Sequence, residues 1–294
     1  MSMRILRIAT RSSAQARTQA EAVAHAIEAA APQTTCELLF VDTLGDQRQD
    51  VSLHSIGGQG VFVKEVQRAV LDGDADIAVH SAKDLPARPE LGEAGQLLMI
   101  GAFTARRDAR DALVGSSLDG LRLGATVATG SVRRRAQLHA IRPDLRFVEL
   151  RGNIHTRLSK VPDDGAIVMA VAALQILGLT ERIHDYMPLD AMVPAVGQGC
   201  VAVECRTADN ETIAMLSAID HAPTRLAVNA ERAFLSELGS GCSLPIGAHV
   251  HHDQLIAFLA DDNGRVLQST VRLGRDWIAT ATMTARSMYA DIIR

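Results

Sequence analysis

Aromatic residues make up only 3% of this 294-residue chain, so its cores must be built mainly from Ala, Val, Leu and Ile. Excess positive charge is lacking too. Thirty Lys and Arg face 34 Asp and Glu for a net charge of −4, which argues against a general nucleic-acid binder or a polybasic membrane-surface protein. No apolar run approaches the ~20 residues that cross a bilayer. The opening "MSMRILRIAT" enters a strand-like pattern at once, without the apolar stretch and small-residue cleavage site of a secretory signal, so a cytoplasmic protein is expected. Cysteine is scarce. The four present form no CxxC pair and match no zinc spacing, and a reducing compartment disfavours disulfides. The ten histidines include no HExxH, so no metal is expected; His80 reads as a core group and His251-His252 as surface residues.

What is present is an αβ rhythm. Hydrophobic residues are 47% of the chain, enough for two or three cores. "RILRIAT" reads as a strand, residues 14–31 as an amphipathic helix, "CELLFVD" as a strand, "VFVKEVQRAVLDG" as a helix and "ADIAVHS" as a buried strand. Strands alternating with helices predict parallel pairing. A second αβ set spans about 104–193, with "LRLGATVAT" and "LRFVEL" as strands around the helix "SVRRRAQLHAIR", then the apolar segment "AIVMAVAALQIL". "VPAVGQG" reads as a hinge or a tight turn. From residue 223 the pattern changes to a helix, successive strands and a last helix over about 277–293, which predicts a small α+β domain with an antiparallel sheet.

Cations stand just beyond four strand-like runs: Arg11, Lys83, the Arg133-Arg134-Arg135 run and Arg151, with Arg157 six residues after Arg151. Ligands of α/β sheets bind at such carboxyl ends, so the pattern predicts a cleft for several carboxylates or phosphates, to which Ser13 and Ser81 add neutral donors. Ser131 is a candidate N-cap for the arginine-bearing helix. Arginines in a first turn oppose the helix dipole, yet together with free N–H groups they suit an anion. The alternative is a solvated basic face, for which Arg135 is the best candidate; on either reading Arg134 could be truncated without harm to the fold. Asp84 lies among these cations in "HSAKDLP", where a carboxylate either caps a turn or stabilises a developing positive charge and moves protons. "HSIGGQGVFVKE" lacks the Gly-Lys-Ser/Thr ending of a phosphate-binding loop and reads as a mobile loop before a helix. Cys36, Cys200 and Cys205 lie in or beside strands, as buried cysteines do. Cys242 differs: in "GSGCSLPIG" glycines and a proline put its thiol on a turn.

The stretches "LRIATRSS", "GGQGVFVKE", "DIAVHSAKD", "SVRRRAQL", "LRGNIHTRLSK", "VPAVGQG", "AERAFL" and "GCSLPIG" follow one another across nearly the whole chain, and together they resemble the porphobilinogen deaminase (hydroxymethylbilane synthase) family. The resemblance implies an α/β fold with two domains like the halves of type II periplasmic binding proteins, the second inserted in the first, and a small C-terminal α+β domain. These would be residues 1–103 with 197–220, residues 104–196, and residues 221–294. It implies a transferase of porphyrin biosynthesis. Four porphobilinogens are added head to tail to a dipyrromethane primer, each with loss of ammonia, and hydrolysis frees hydroxymethylbilane. Cys242 matches the cysteine that carries the dipyrromethane cofactor as a thioether, and Asp84 the catalytic carboxylate. Ser13, Lys83, Ser131, Arg133 and Arg134 match residues that hold the cofactor; Arg11, Arg151 and Arg157 match residues that hold substrate. No nucleic acid, membrane or metal partner is implied, and a monomer is expected. Ser55 and Gln59 stand where many relatives have lysines, and Gly130 where serine is common. A solute-binding protein with an anion cleft is the rival reading, but it leaves Cys242 and Asp84 idle.

Overall fold

A computed structural model describes residues 3–43, 63–87, 97–239, 245–261 and 263–293. The chain divides into two units, Met1–Arg106 with Cys200–Arg225, and Arg107–Gly199 with Leu226–Arg294.

In the first unit, β1 (Arg4–Arg11) turns at Ser13 into α1 (Ala14–Ala30), followed by β2 (Thr34–Val41), α2 (Lys64–Leu71), β3 (Ile77–Ser81) and a single 3-10 turn, Ala82–Asp84. β4 (Leu98–Phe103) completes the first stretch, and β10 (Val201–Arg206) with α6 (Asn210–Ser217) returns from the second. The sheet order is β2-β1-β3-β10-β4, with β1 parallel to β2 and β3, and β10 antiparallel to β3 and β4. Period-3.6 spacing puts Ala20, Val23, Ala24 and Ile27 of α1 on one side, where they cover Leu6, Ile8, Ile77 and Val79. On the opposite face Val66, Ala69 and Val70 of α2 cover Ala9 and Ala78. Small and branched side chains fill both layers, as the lack of aromatics requires.

The second unit repeats this topology without a visible sequence repeat. Its strands are β5 (Asp111–Val114), β6 (Thr126–Ala128), β7 (Arg146–Val148), β8 (Ala166–Ala170) and β9 (Asp185–Tyr186), in the order β7-β6-β8-β5-β9. β6 is parallel to β7 and β8, while β5 is antiparallel to β8 and β9. The helices are α3 (Val132–Ile141), α4 (Ile154–Leu158) and α5 (Val171–Ile176). The run "AIVMAVAALQIL", expected as one segment, is therefore a strand and a helix meeting between Ala170 and Val171. A run apolar on all sides carries no periodicity to mark that change.

The antiparallel sheet expected near the C-terminus is present, with β11 (Ile246–His251), β12 (Gln254–Ala260) and β13 (Val266–Arg272) in that order. α7 (Ala222–Leu238) and α8 (Trp277–Ile292) contribute Phe234, Ala281, Ala285 and Met288 to one core with Val250, Leu255, Ala257 and Leu259. Ile256 and Phe258 point the other way, against Val193, so β12 is buried on both faces. Among the described residues no helix is long and apolar enough to cross a membrane.

Gly165 shows how tightly the second sheet is closed, because a Cβ built there would collide with the backbone carbonyl of Thr126 in β6. Gly165→Ala should cost about 1–3 kcal/mol through overpacking. It would appear as a lower urea midpoint at unchanged slope; an unchanged midpoint would mean that β6 and β8 can part without cost.

Candidate active site

In the first unit β1 and β3 are parallel neighbours, with Ile8 opposite Ile77, so they run out at the same edge of the sheet. Arg11 is the last residue of β1 and is half-buried. Ser13 caps α1, its Oγ accepting the Ala16 amide at 3.3 Å; the hydroxyl keeps its own hydrogen for donation. Lys83 and Asp84, both half-buried, stand on the 3-10 turn that follows β3. Arg11, Ser13, Lys83 and Asp84 thus gather at one sheet edge. Ser81, expected as a donor for an anion, is engaged with α1: its hydroxyl exchanges hydrogen bonds with Gln19 at 3.1 Å, and Gln15 donates to it at 3.4 Å. His80 is in the core as expected, with Nε2 3.0 Å from Oε2 of Glu204, whose carboxylate accepts from Gln67 at 3.0 and 3.1 Å.

The second unit repeats the arrangement. β6, β7 and β8 are parallel and end together. Ser131 follows β6 and caps α3 as predicted, accepting the Arg134 amide at 3.4 Å. Arg151 follows β7, and Arg157 on α4 donates its Nε to the Gly152 carbonyl at 2.7 Å. Gly130, noted as a departure from serine, faces Glu149: an added Cβ would come within 2.7 Å of its Oε1 and 3.1 Å of the Leu150 carbonyl.

Arg133 and Arg134 lie at this edge, but not as an exposed basic face; they are 5% and 7% exposed. Both reach Asp111, the first residue of β5, which lies opposite Ala170 at the end of β8. Arg133 donates through Nη2 to Oδ2 at 2.8 Å and through Nη1 to the Val193 carbonyl at 2.6 Å. Arg134 donates through Nε and Nη2 to Oδ1 at 3.0 and 2.7 Å, and through Nη1 to the Val168 carbonyl at 2.9 Å. Gln198, from "VPAVGQG", adds a bond to Oδ1 at 2.9 Å and one to the Ala109 carbonyl at 2.8 Å. Burial alone would push the Asp111 carboxyl up. The charges of Arg133 and Arg134 and the bonds from Arg134 and Gln198 outweigh that and hold it well below the usual carboxylate range. The solvated-face alternative fits Arg135, which is exposed, 5.9 Å over the Phe147 ring.

Asp111 and Gln198 were not singled out from sequence. A signal was there: an aspartate heading the wholly buried strand "DALV" needs a partner. Cys242, Ser55 and Gln59 lie outside the described residues. Of the loop "HSIGGQGVFVKE" only Val63, Lys64 and Glu65 are described, at the start of α2. The remaining cysteines are core or strand residues as expected; burial, aided by Glu28, pushes the Cys36 thiol up to about 11.

The burial of this cluster corrects the expectation that Arg134 can be removed without harm. Breaking a buried ion pair typically costs about 3–5 kcal/mol. Asp111 keeps Arg133 and Gln198, so Arg134→Ala should lose close to 3 kcal/mol, the low end of that range. Asp111 also sets an acid limb. Its folded pKa lies below the unfolded value of roughly 3.9, so its contribution is complete above that value and is lost as pH falls below about 4. Urea denaturation at pH 7 tests the pairing: Arg134→Ala should lose more stability in the parent than in an Asp111→Asn background. Equal losses would remove Asp111 as the partner that matters.

Comparison with known proteins places these edges in context. A family model described as "Porphobilinogen deaminase, dipyromethane cofactor binding domain" matches residues 6–214, and one described as "Porphobilinogen deaminase, C-terminal domain" matches residues 225–284. The porphobilinogen deaminase of Brevibacillus brevis is 40% identical over 295 aligned residues, covering 97% of this chain and 94% of its own. That of Syntrophomonas wolfei is 44% identical over 270, covering 87% and 86%. Among solved structures, a TRAP periplasmic solute-binding protein from Citrobacter koseri aligns over 98% of this chain and 96% of its own, at 13% identity and a TM-score of 0.43.

Proposed function

The chain belongs to the porphobilinogen deaminase family, and we propose that it joins four porphobilinogen molecules head to tail, with release of ammonia at each addition, and then hydrolyses the product free as hydroxymethylbilane. This makes it a transferase of porphyrin biosynthesis, working as a cytoplasmic monomer with three domains, residues 1–103 with 197–220, 104–196 and 221–294. The observation that carries the reading is one carboxylate, Asp84, set among Arg11, Ser13 and Lys83 at a single sheet edge. A carboxylate within a ligand's reach opposes the binding of anions, so its use there lies in the chemistry.

The donors suit the group that such a reaction extends. Every pyrrole ring carries an acetate and a propionate, and the described donors are guanidinium, ammonium and hydroxyl groups, which pair with carboxylates. Ser13, Lys83, Ser131, Arg133 and Arg134 would hold the dipyrromethane, while Arg11, Arg151 and Arg157 would hold the carboxylates of incoming substrate. Bound through the sulfur of Cys242, the dipyrromethane would supply the free pyrrole α-carbon at which the chain grows.

Asp84 then has two tasks. When the C–N bond of the protonated aminomethyl group breaks, its electron pair leaves with nitrogen as ammonia and the substrate pyrrole becomes a delocalised cation. A fixed carboxylate ~4 Å away, at an effective dielectric of ~20, stabilises that cation by about 4 kcal/mol, or about a thousandfold in rate. Once the new C–C bond has formed, an Asp84 oxygen accepts the proton released as the ring regains aromaticity.

Intact mass after incubation with porphobilinogen tests the attachment: the protein should carry the excess of two pyrrole units, and Cys242→Ser should carry none. A bare mass in the unmodified protein would end the proposal. Asp84→Asn should keep the added mass yet turn over about a thousandfold more slowly; near-normal turnover would remove Asp84 from the chemistry.

A further inference from the structure

Asp111 is a fully enclosed charge of the second unit, and no step above uses it. Its side chain is 0% exposed, whereas those of Arg133 and Arg134 are 6% and 9% exposed. What little exposure the cluster has thus belongs to the arginines, so an anion arriving at this edge meets them before the carboxylate. Two positive charges and one negative leave the group at net +1. We propose that Asp111 is a positioning residue of the condensation, holding the guanidinium groups of Arg133 and Arg134 as one fixed array against which pyrrole carboxylates bind. The proposal rests on the reading that these two arginines bind carboxylates.

The hydrogen bonds show how the array is fixed. A guanidinium has five N–H donors in a rigid plane. Arg134 spends three, two on Oδ1 of Asp111 and one on Val168, so its plane is set by two elements, β5 and β8. Arg133 spends two, on Oδ2 and on Val193. Three donors of Arg133 and two of Arg134 are left for a ligand. Without Asp111 these adjacent cations, both in the first turn of α3, would repel each other and the helix dipole and would swing apart. Gln198 adds a third bond to Oδ1, beside the two from Arg134, and so helps to hold the carboxylate in place.

Stability alone is a poor explanation for the cluster. Buried ion networks are frequently no better for stability than apolar residues of equal volume, whereas a fixed donor array reduces the ordering cost of each binding event. A merely structural Asp111 would, when altered, lower the unfolding midpoint and leave substrate affinity of the folded molecules unchanged. A positioning Asp111 moves the affinity itself.

The experiment compares Asp111→Asn, Arg133→Gln and Arg134→Gln with the parent. Two quantities are read on folded protein: the fraction that gains the two-pyrrole mass on incubation with porphobilinogen, and KM and kcat per loaded molecule. Asp111→Asn should load more slowly and raise KM by about tenfold to a hundredfold while kcat is largely kept. Parent-like loading and KM in folded Asp111→Asn, with both arginine variants impaired, would overturn the inference and leave the carboxylate-binding reading standing. If the arginine variants are also parent-like, that reading falls with it. Should Asp111→Asn fail to fold, Gln198→Leu takes its place, since it leaves both ion pairs but removes one of the bonds that hold the carboxylate; a severalfold rise in KM is expected, and an unchanged KM overturns the inference.

Discussion

Parallel pairing is the constraint on which the rest of this structure depends. Because β1 and β3 run the same way, the residues that follow them emerge at one edge; the same holds for β6, β7 and β8 in the second unit. Chain segments far apart in sequence thereby deliver Arg11, Ser13, Lys83 and Asp84 to one edge, and Ser131, Arg133, Arg134, Arg151 and Arg157 to another. Antiparallel strands contribute differently. β5 begins where β8 ends, so its first residue, Asp111, comes to the same edge as the arginines.

Crowding cations at a sheet edge is unfavourable by itself, and each unit offsets it with its own device. Hydroxyl caps at Ser13 and Ser131 satisfy helix N–H groups while keeping a proton to donate. In the second unit a buried carboxylate lies behind the arginines. In the first, the end of β3 is tied to α1 through Ser81, Gln15 and Gln19, which fixes the turn that carries Lys83 and Asp84. These bonds are neutral, so they hold the turn without lowering the local charge available to a carboxylated ligand.

Much of this was legible in the sequence, and the parts that were not share a physical cause. Local patterns declared themselves: the apolar stripe of α1, the Ser131 cap, the stop of α3 before Pro143 and the antiparallel strands after Cys242. Short-range chemistry, in which a residue acts on neighbours three or four positions away, is written in spacing. The β8–α5 junction was hidden because neither side of it has a polar face. Asp111 was hidden for another reason: its partners lie 22, 23 and 87 positions along the chain, and only the fold brings them together. The arginines were visible as charges, but their burial was not, since burial belongs to the neighbours. Cys242 was recognised through the motif around it, and its setting lies outside the described residues.

Asp84 of the first unit and Asp111 of the second illustrate how environment distinguishes like groups. Asp111 is fully enclosed, met by two guanidinium groups and an amide, and its charge is used up in holding them. Asp84 is half-buried on a single turn of 3-10 helix, where a ligand can reach it. A negative charge that is already neutralised by fixed cations responds little to a new positive charge nearby, so Asp111 is poorly suited to stabilise a developing cation. Asp84 is better suited to it because, only half-buried, it can be approached by a substrate.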